Sequence, residues 1–171
     1  MTDAFERLWT PYRMAYIAGE GKPQGDPDDP AVCPFCVAPT LDDDDESLIV
    51  ARGGRVYAVL NRYPYNAGHL LVLPLRHVPD YADLDQAETA EFSAFTQRAM
   101  RVLRAVSGPH GFNLGMNQGP VAGAGIAAHL HQHVVPRWGG DTNFIPVVGL
   151  TRVLPQLLAD TRTLLADAWS A

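Results

Sequence analysis

Apolar residues fall along this chain in short runs of two kinds, and the spacing inside each run predicts its geometry. Leu48 to Arg52 and Arg55 to Leu60 read as strands, with Gly53-Gly54 between them as a hairpin turn. Asn61 to Gly68 is turn-rich, and His69 to Leu73 forms a third apolar strand. From Asp85 to Ser107 the period changes: Phe92, Phe95, Ala99, Val102 and Val106 recur at helical spacing, which predicts the longest helix with that stripe in the core. Asp85 and Glu88 give it a capping-box start. Gly111 to Met116 is a further strand. Arg152 to Trp169 reads as a last helix with Leu154, Leu157, Leu158, Leu164 and Leu165 on its apolar side, where Pro155 fits only the first turn. At the other end, Thr10-Pro11 opens a helix over Tyr12 to Ala18 that stops at Gly19. Gly21 to Pro30 is a loop, Cys33-Pro34-Phe35-Cys36 a tight knuckle, and the acidic run Asp42 to Glu46 a solvated loop. A hairpin, a crossover helix and then more strands predict an α+β fold: a mostly antiparallel sheet of about five strands, one long crossover helix and a C-terminal helix.

A chain of 171 residues is expected to form one domain over 1–171, with an arm (1–47), a core (48–144) and a C-terminal helix (145–171). The 47% hydrophobic content excludes a disordered chain, and no run reaches the roughly 18 apolar residues of a membrane helix. The N-terminus mixes acidic and basic residues without an apolar stretch, so no secretory signal is expected. A net charge of −6 argues against sequence-independent nucleic-acid binding but leaves a phosphate-bearing small molecule open, since a pocket can supply local positive charge. Both cysteines lie in one Cys-x-x-Cys unit, too close to staple the fold, which fits a cytoplasmic protein with a metal or redox pair.

Candidate chemistry concentrates in His129-Leu130-His131-Gln132-His133-Val134-Val135-Pro136-Arg137-Trp138. On a strand, side chains alternate between faces, so His129, His131 and His133 share one face and Leu130 takes the other. A surface ladder, a tag-like run or an incidental metal site would give the same alternation. The apolar surroundings and Pro136 at the expected strand end favour an active-site wall.

This run resembles the signature of the histidine-triad (HIT) superfamily, histidine-apolar-histidine-apolar-histidine-apolar-apolar, at six of seven positions. Gln132 departs, on the face away from the histidines, where it affects packing rather than chemistry. Asn61-Arg62-Tyr63-Pro64-Tyr65-Asn66-Ala67-Gly68-His69-Leu70-Leu71-Val72-Leu73-Pro74 is similar to the superfamily's first half-site. The resemblance covers about Leu48 to Phe144. Leu8 to Met14 and Pro136 to Phe144 are similar to a bacterial subgroup that includes diadenosine tetraphosphate phosphorylases.

What the resemblance implies is a nucleotide hydrolase or transferase. His131 would attack the α-phosphorus and hold a nucleotidyl group, with one ring nitrogen kept protonated by a backbone carbonyl. His133 would hydrogen-bond the phosphoryl oxygens, and His129 completes the triad. Asn61 matches a ribose ligand, Asn117 a phosphate contact, and His69 a support behind the triad; ordinary turn capping is the alternative for both asparagines. Gly123, Gly125, Arg137 and Trp138 complete the candidate nucleotide- and phosphate-binding set. Relatives carry Gln or Ser where this chain has Gly125, so the acceptor, water or orthophosphate, stays open. A phosphoramidase and a nucleotide-binding module without turnover are the rival readings. His110 is expected to be an exposed loop residue.

Several relatives bind structural zinc through a Cys-x-x-Cys, a histidine after the third strand and the first triad histidine. The matching positions are Cys33, Cys36, His77 and His129, with a redox cysteine pair as competitor. Superfamily members commonly form two-fold dimers, so a homodimer is expected, with no nucleic-acid or membrane partner.

Overall fold

A computed structural model describes residues 25–26, 28–141 and 156–171. The expected helix over Tyr12 to Ala18, the Leu8 to Met14 block, half of the Gly21 to Pro30 loop, Thr142 to Phe144 and the start of the last helix lie outside these residues.

Alternating and fully apolar runs become five strands: β1 (Ile49–Arg52), β2 (Val56–Leu60), β3 (Leu70–Pro74), β4 (Gly111–Met116) and β5 (Gln132–Arg137). They form one sheet in the order β1-β2-β3-β5-β4 with every neighbouring pair antiparallel. All five residues of β2 and all five of β3 are buried. A strand that buries both faces must be covered on both.

The long helix covers one face. Two short helices precede the sheet, α1 (Pro34–Val37) and α2 (Asp44–Ser47), so the long helix is α3 (Gln86–Ser107) and the last is α4 (Leu158–Ser170). The Asp85 side chain accepts from the Glu88 N–H while Glu88 reaches back to the Asp85 N–H, closing the expected capping box. Phe92, Ala99 and Val102 are buried, and Phe95 and Val106 pack against the core. Truncating Phe92 to Ala would cost about 3–5 kcal/mol on the usual scale for buried aromatics. Across the helix, Thr96 Oγ1 donates to Gln132 Oε1 at 3.3 Å, so Gln132 does face away from the site. α4 packs on α3 and β1, where the Arg98 guanidinium donates to the Trp169 carbonyl.

The other face carries the candidate site. Val59 pairs with Leu71, Leu71 with His133, and His133 with Gly115, a row across four strands on one face. Gly68 makes that row possible: its φ of 72° lies in the left-handed region, and a Cβ there would meet Leu103 Cδ2 at 3.0 Å. Only glycine takes that turn cheaply, and it delivers His69 to the head of β3.

Four expectations differ from the structure. The histidine run does not enter the sheet at His129; the ladder begins at Gln132, because the Leu130 N–H donates to the Val78 carbonyl at 2.7 Å instead of to a strand. Pro136 lies inside β5, where its missing N–H costs nothing because β3 has already ended opposite Val134. The acidic run is solvent-exposed as expected but is a short helix rather than a loop: Asp43 caps α2, and Asp44 and Asp45 pair with Arg52 and Arg162 at 2.6 and 2.9 Å. In α4, Leu165, Trp169 and Thr161 are buried, whereas Leu164 (42% exposed) and the N-cap residue Leu157 (72%) face outward instead of lying on the apolar side.

Candidate active site

The knuckle, the end of β2, the turn before β3 and the loop before β5 enclose a cavity of about 340 Å³, mostly apolar in its walls. His131 and His133 line it together with Asn61, Asn117, Gly123 and Gly125. These predicted residues come together from four separate segments.

His131 is buried, and its Nδ1–H donates to the carbonyl of His129 at 2.8 Å. A carbonyl cannot donate, so the bond fixes the proton on Nδ1 and leaves the Nε2 lone pair available. Burial holds the ring below the ordinary histidine range, against the opposing pull of that carbonyl, so it is neutral at neutral pH. A neutral imidazole with one fixed tautomer is what a histidine nucleophile requires.

Behind His133 a second chain of contacts sets another tautomer. The Tyr65 N–H donates to His69 Nδ1 at 3.0 Å, which places the proton of the fully buried His69 on Nε2. That N–H donates to His133 Nδ1 at 2.9 Å. A neutral His133 therefore carries its own proton on Nε2, as a donor suited to phosphoryl oxygen. Tyr65 also stacks on both rings, with centroids 4.8 and 5.6 Å away. Asn61 both lines the cavity and caps the turn: its Oδ1 accepts from the Tyr63 N–H at 2.9 Å.

His129 turns the opposite way. Its Nε2–H donates to the Pro74 carbonyl at 2.9 Å, so the Nδ1 lone pair faces Cys33 Sγ at 3.5 Å and Cys36 Sγ at 3.4 Å. His77 Nδ1 lies 3.2 Å from Cys36 Sγ, and the four donor atoms all fall within 4.8 Å of one another. Around a tetrahedral zinc, adjacent sulfur and nitrogen ligands stand about 3.5 Å apart, from bonds of about 2.3 and 2.0 Å. The four residues thus fit such an ion, and the Pro74 carbonyl supplies the outer hydrogen bond that orients a ligating histidine. A redox pair works through a lowered thiol pKa; burial and the neighbouring Cys33 push that of Cys36 the other way, up to about 12.

Two predicted residues are not brought to the cavity. Arg137 is held bidentately by Asp141, at 2.7 and 3.0 Å, and donates to Asn113 at 2.8 Å. Trp138 donates its Nε1–H to the Ser107 carbonyl and borders a separate cavity with Asn66 and Asp141. His110 is exposed, and its Nδ1 accepts from the Gly139 N–H. Among the lining residues to which the sequence assigned no site role are Phe35, Arg62 and Tyr65. Phe35 lies between the two cysteines, and Arg62 and Tyr65 sit inside the half-site block, so position within a motif was the available signal.

Comparison with known proteins gives the same picture from a different direction. A family profile described as "HIT domain" matches residues 43–140. A Mycobacterium tuberculosis protein named "AP-4-A phosphorylase" is 56% identical over 170 residues, covering 98% of this chain and 86% of that protein. Among solved structures, a zinc-bound histidine triad family protein from Mycobacterium smegmatis superposes with a TM-score of 0.67 at 27% identity, over 83% of this chain and 96% of that one. A histidine triad nucleotide-binding protein from Sulfolobus tokodaii gives 0.64 at 25% identity, over 81% and 92%.

Proposed function

Because the chain belongs to the HIT domain family, we propose that it is an enzyme cleaving diadenosine polyphosphates, diadenosine tetraphosphate foremost, through a nucleotide held on His131. The observation that carries this reading is the Nδ1–H bond of His131 to the His129 carbonyl, which leaves Nε2 as the nucleophile on the cavity wall.

The steps follow from the residues. His131 Nε2 attacks the α-phosphorus; a P–N bond forms, the P–O bond to the bridging oxygen breaks, and ATP leaves. His133 Nε2–H hydrogen-bonds the phosphoryl oxygens as charge builds on them. Asn61 takes the ribose hydroxyls, and Asn117 with the backbone N–H groups of Gly123 and Gly125 takes phosphate oxygens. Arg62, which lines the cavity, supplies the local cation expected of Arg137. An oxygen of orthophosphate then attacks the phosphorus, the P–N bond breaks, and ADP leaves with His131 restored. The relative named a phosphorylase, at 56% identity, supports orthophosphate as acceptor over water.

Cys33, Cys36, His77 and His129 would hold a zinc ion. It supplies structural cross-linking of the arm to the active-site segment; the chemistry stays with His131 and His133. We read the chain as one domain working in the cytoplasm, where a cysteine pair persists as metal ligands rather than as a disulfide. No helix among the described residues is long and apolar enough to cross a membrane. A homodimer through β4 is supported by its place at the open edge of the sheet and by Leu114, 46% exposed on it.

Incubating the protein with a panel of dinucleoside polyphosphates and adenosine phosphoramidates tests the reading. Turnover of the polyphosphates with little turnover of the phosphoramidates is expected. The reverse preference would make it a phosphoramidase, and binding without turnover a nucleotide-binding module.

A further inference from the structure

Phe35 occupies an unusual position: it is the residue just before the second cysteine of the knuckle, yet it touches the nucleophile. Its ring centroid lies 5.6 Å from that of His129, edge-on at 75°, and 5.1 Å from that of His131, tilted at 48°. Among the described residues it is the aromatic side chain that meets both the metal-ligand histidine and the nucleophile. Its carbonyl accepts the hydroxyl of the fully buried Tyr57 at 2.7 Å.

The His131 ring needs such a contact. Its hydrogen bond to the His129 carbonyl, together with the bond to Cβ, sets the tautomer and rotation of the ring and leaves only small swings for packing to limit. Phe35 and His133, with centroids 5.1 and 5.2 Å away, both pack against the ring and limit those swings. Phe35 in turn sits on a helix that cannot hold itself: α1 has four residues, no side-chain cap and no buried residue. One turn of helix is unstable alone in water. Beyond the packing of Phe35 itself on the core, what anchors it are the Tyr57 hydroxyl and the cysteines Cys33 and Cys36.

We propose that Phe35 is a positioning residue that holds the His131 imidazole in its attack orientation, and that an ion on Cys33, Cys36, His77 and His129 keeps Phe35 there. The metal site thereby reaches the nucleophile through an aromatic side chain as well as through the His129 carbonyl. This deepens the reading of His131 as nucleophile and rests on it.

The test uses the full chain with metal bound, in wild type, Phe35→Ala, Phe35→Leu and Phe35→Tyr forms. Metal content, dinucleotide affinity, single-turnover formation of the His131 adduct and the imidazole ¹⁵N signals of His131 are measured for each. Misplacement of a reacting group by about 1 Å can cost on the order of a hundredfold in rate. Phe35→Ala should therefore keep one metal per chain while adduct formation at saturating dinucleotide falls about ten- to a hundredfold, beyond any loss of affinity from the shortened cavity wall, and Phe35→Tyr should restore most of it. Chelation should shift the His131 signals more in wild type than in Phe35→Ala, where only the His129 carbonyl link is left. Weakened affinity at an unchanged adduct rate would make Phe35 only a cavity wall and overturn the proposal, as would His131 signals indifferent to chelation. If Phe35→Ala does not fold, the comparison of Phe35→Leu with Phe35→Tyr and the chelation of wild type decide by the same criteria. Because the ring signals need no substrate, they separate failure of this coupling from failure of the proposed reaction.

Discussion

The carbonyl oxygen of His129 lies 2.8 Å from Nδ1 of His131. One histidine, turned toward two cysteines and beside His77, thus sets the tautomer of the next histidine in the run. The three histidines are put to separate uses: His129 faces Cys33 and Cys36, His131 faces the cavity with Nε2 available, and His133 is backed by His69.

Replacing His131 by Asn removes the nucleophile and keeps a small polar group of similar reach. Turnover of diadenosine tetraphosphate is expected to fall by at least about a thousandfold, with nucleotide affinity changed by only a few-fold. Calorimetric binding alongside steady-state rates checks both, and near-normal turnover would rule out the covalent route.

Protein purified without added metal is expected to hold one zinc per chain by elemental analysis. Cys33→Ser should lose it and lower the thermal midpoint, since binding free energy of a structural ion is also folding free energy. Metal-free protein with a Cys33–Cys36 disulfide would return the pair to redox chemistry.

Arg62 and Arg137 should separate cleanly. Arg62→Gln is expected to raise KM for diadenosine tetraphosphate about tenfold, in line with roughly 1.5–3 kcal/mol for a charge-assisted hydrogen bond partly screened at the cavity mouth. Arg137→Gln should disturb stability through Asp141 and leave KM nearly unchanged. Opposite behaviour in steady-state kinetics would restore Arg137 to the phosphate site.

The segment that carries His77 is anchored by its neighbour Arg76, whose guanidinium bonds both Glu88 oxygens at 2.8 and 2.7 Å. Those hydrogen bonds, against the opposing effect of burial, hold the Glu88 carboxyl at about 2, below its ordinary 4.5. A depressed carboxyl stabilises the fold above the unfolded pKa and loses that contribution as pH falls through the folded one. Arg76 is half exposed, so the gain at neutral pH is about 1–2 kcal/mol after screening. Thermal midpoints of wild type and Glu88→Gln should therefore differ above pH 5 and converge between pH 4.5 and 2. A constant offset across that window would contradict the linkage.

Most of the sheet and the long helix were legible because local pattern decides them: Leu48 to Leu60, the capping box at Asp85, and Gly111 to Met116 each carry their own signal. The site was legible where a motif fixes geometry at short range, as with Gly68 before His69. It was not legible where distant segments meet. That Leu130 spends its N–H on Val78 decides where β5 begins, and neither residue announces the other. Whether Arg62 or Arg137 faces phosphate depends on strand register and on Asp141, not on motif position. The ion pairs of Asp44 and Asp45 with Arg162 were not legible because that arginine lies more than a hundred residues away.

Phosphorolysis of diadenosine tetraphosphate through His131 is revealed by its products. Measuring nucleotides released at increasing orthophosphate should give ADP and ATP in equal amounts, at a rate that rises with phosphate and saturates. AMP and ATP at a rate indifferent to phosphate would contradict the account and make this chain a hydrolase.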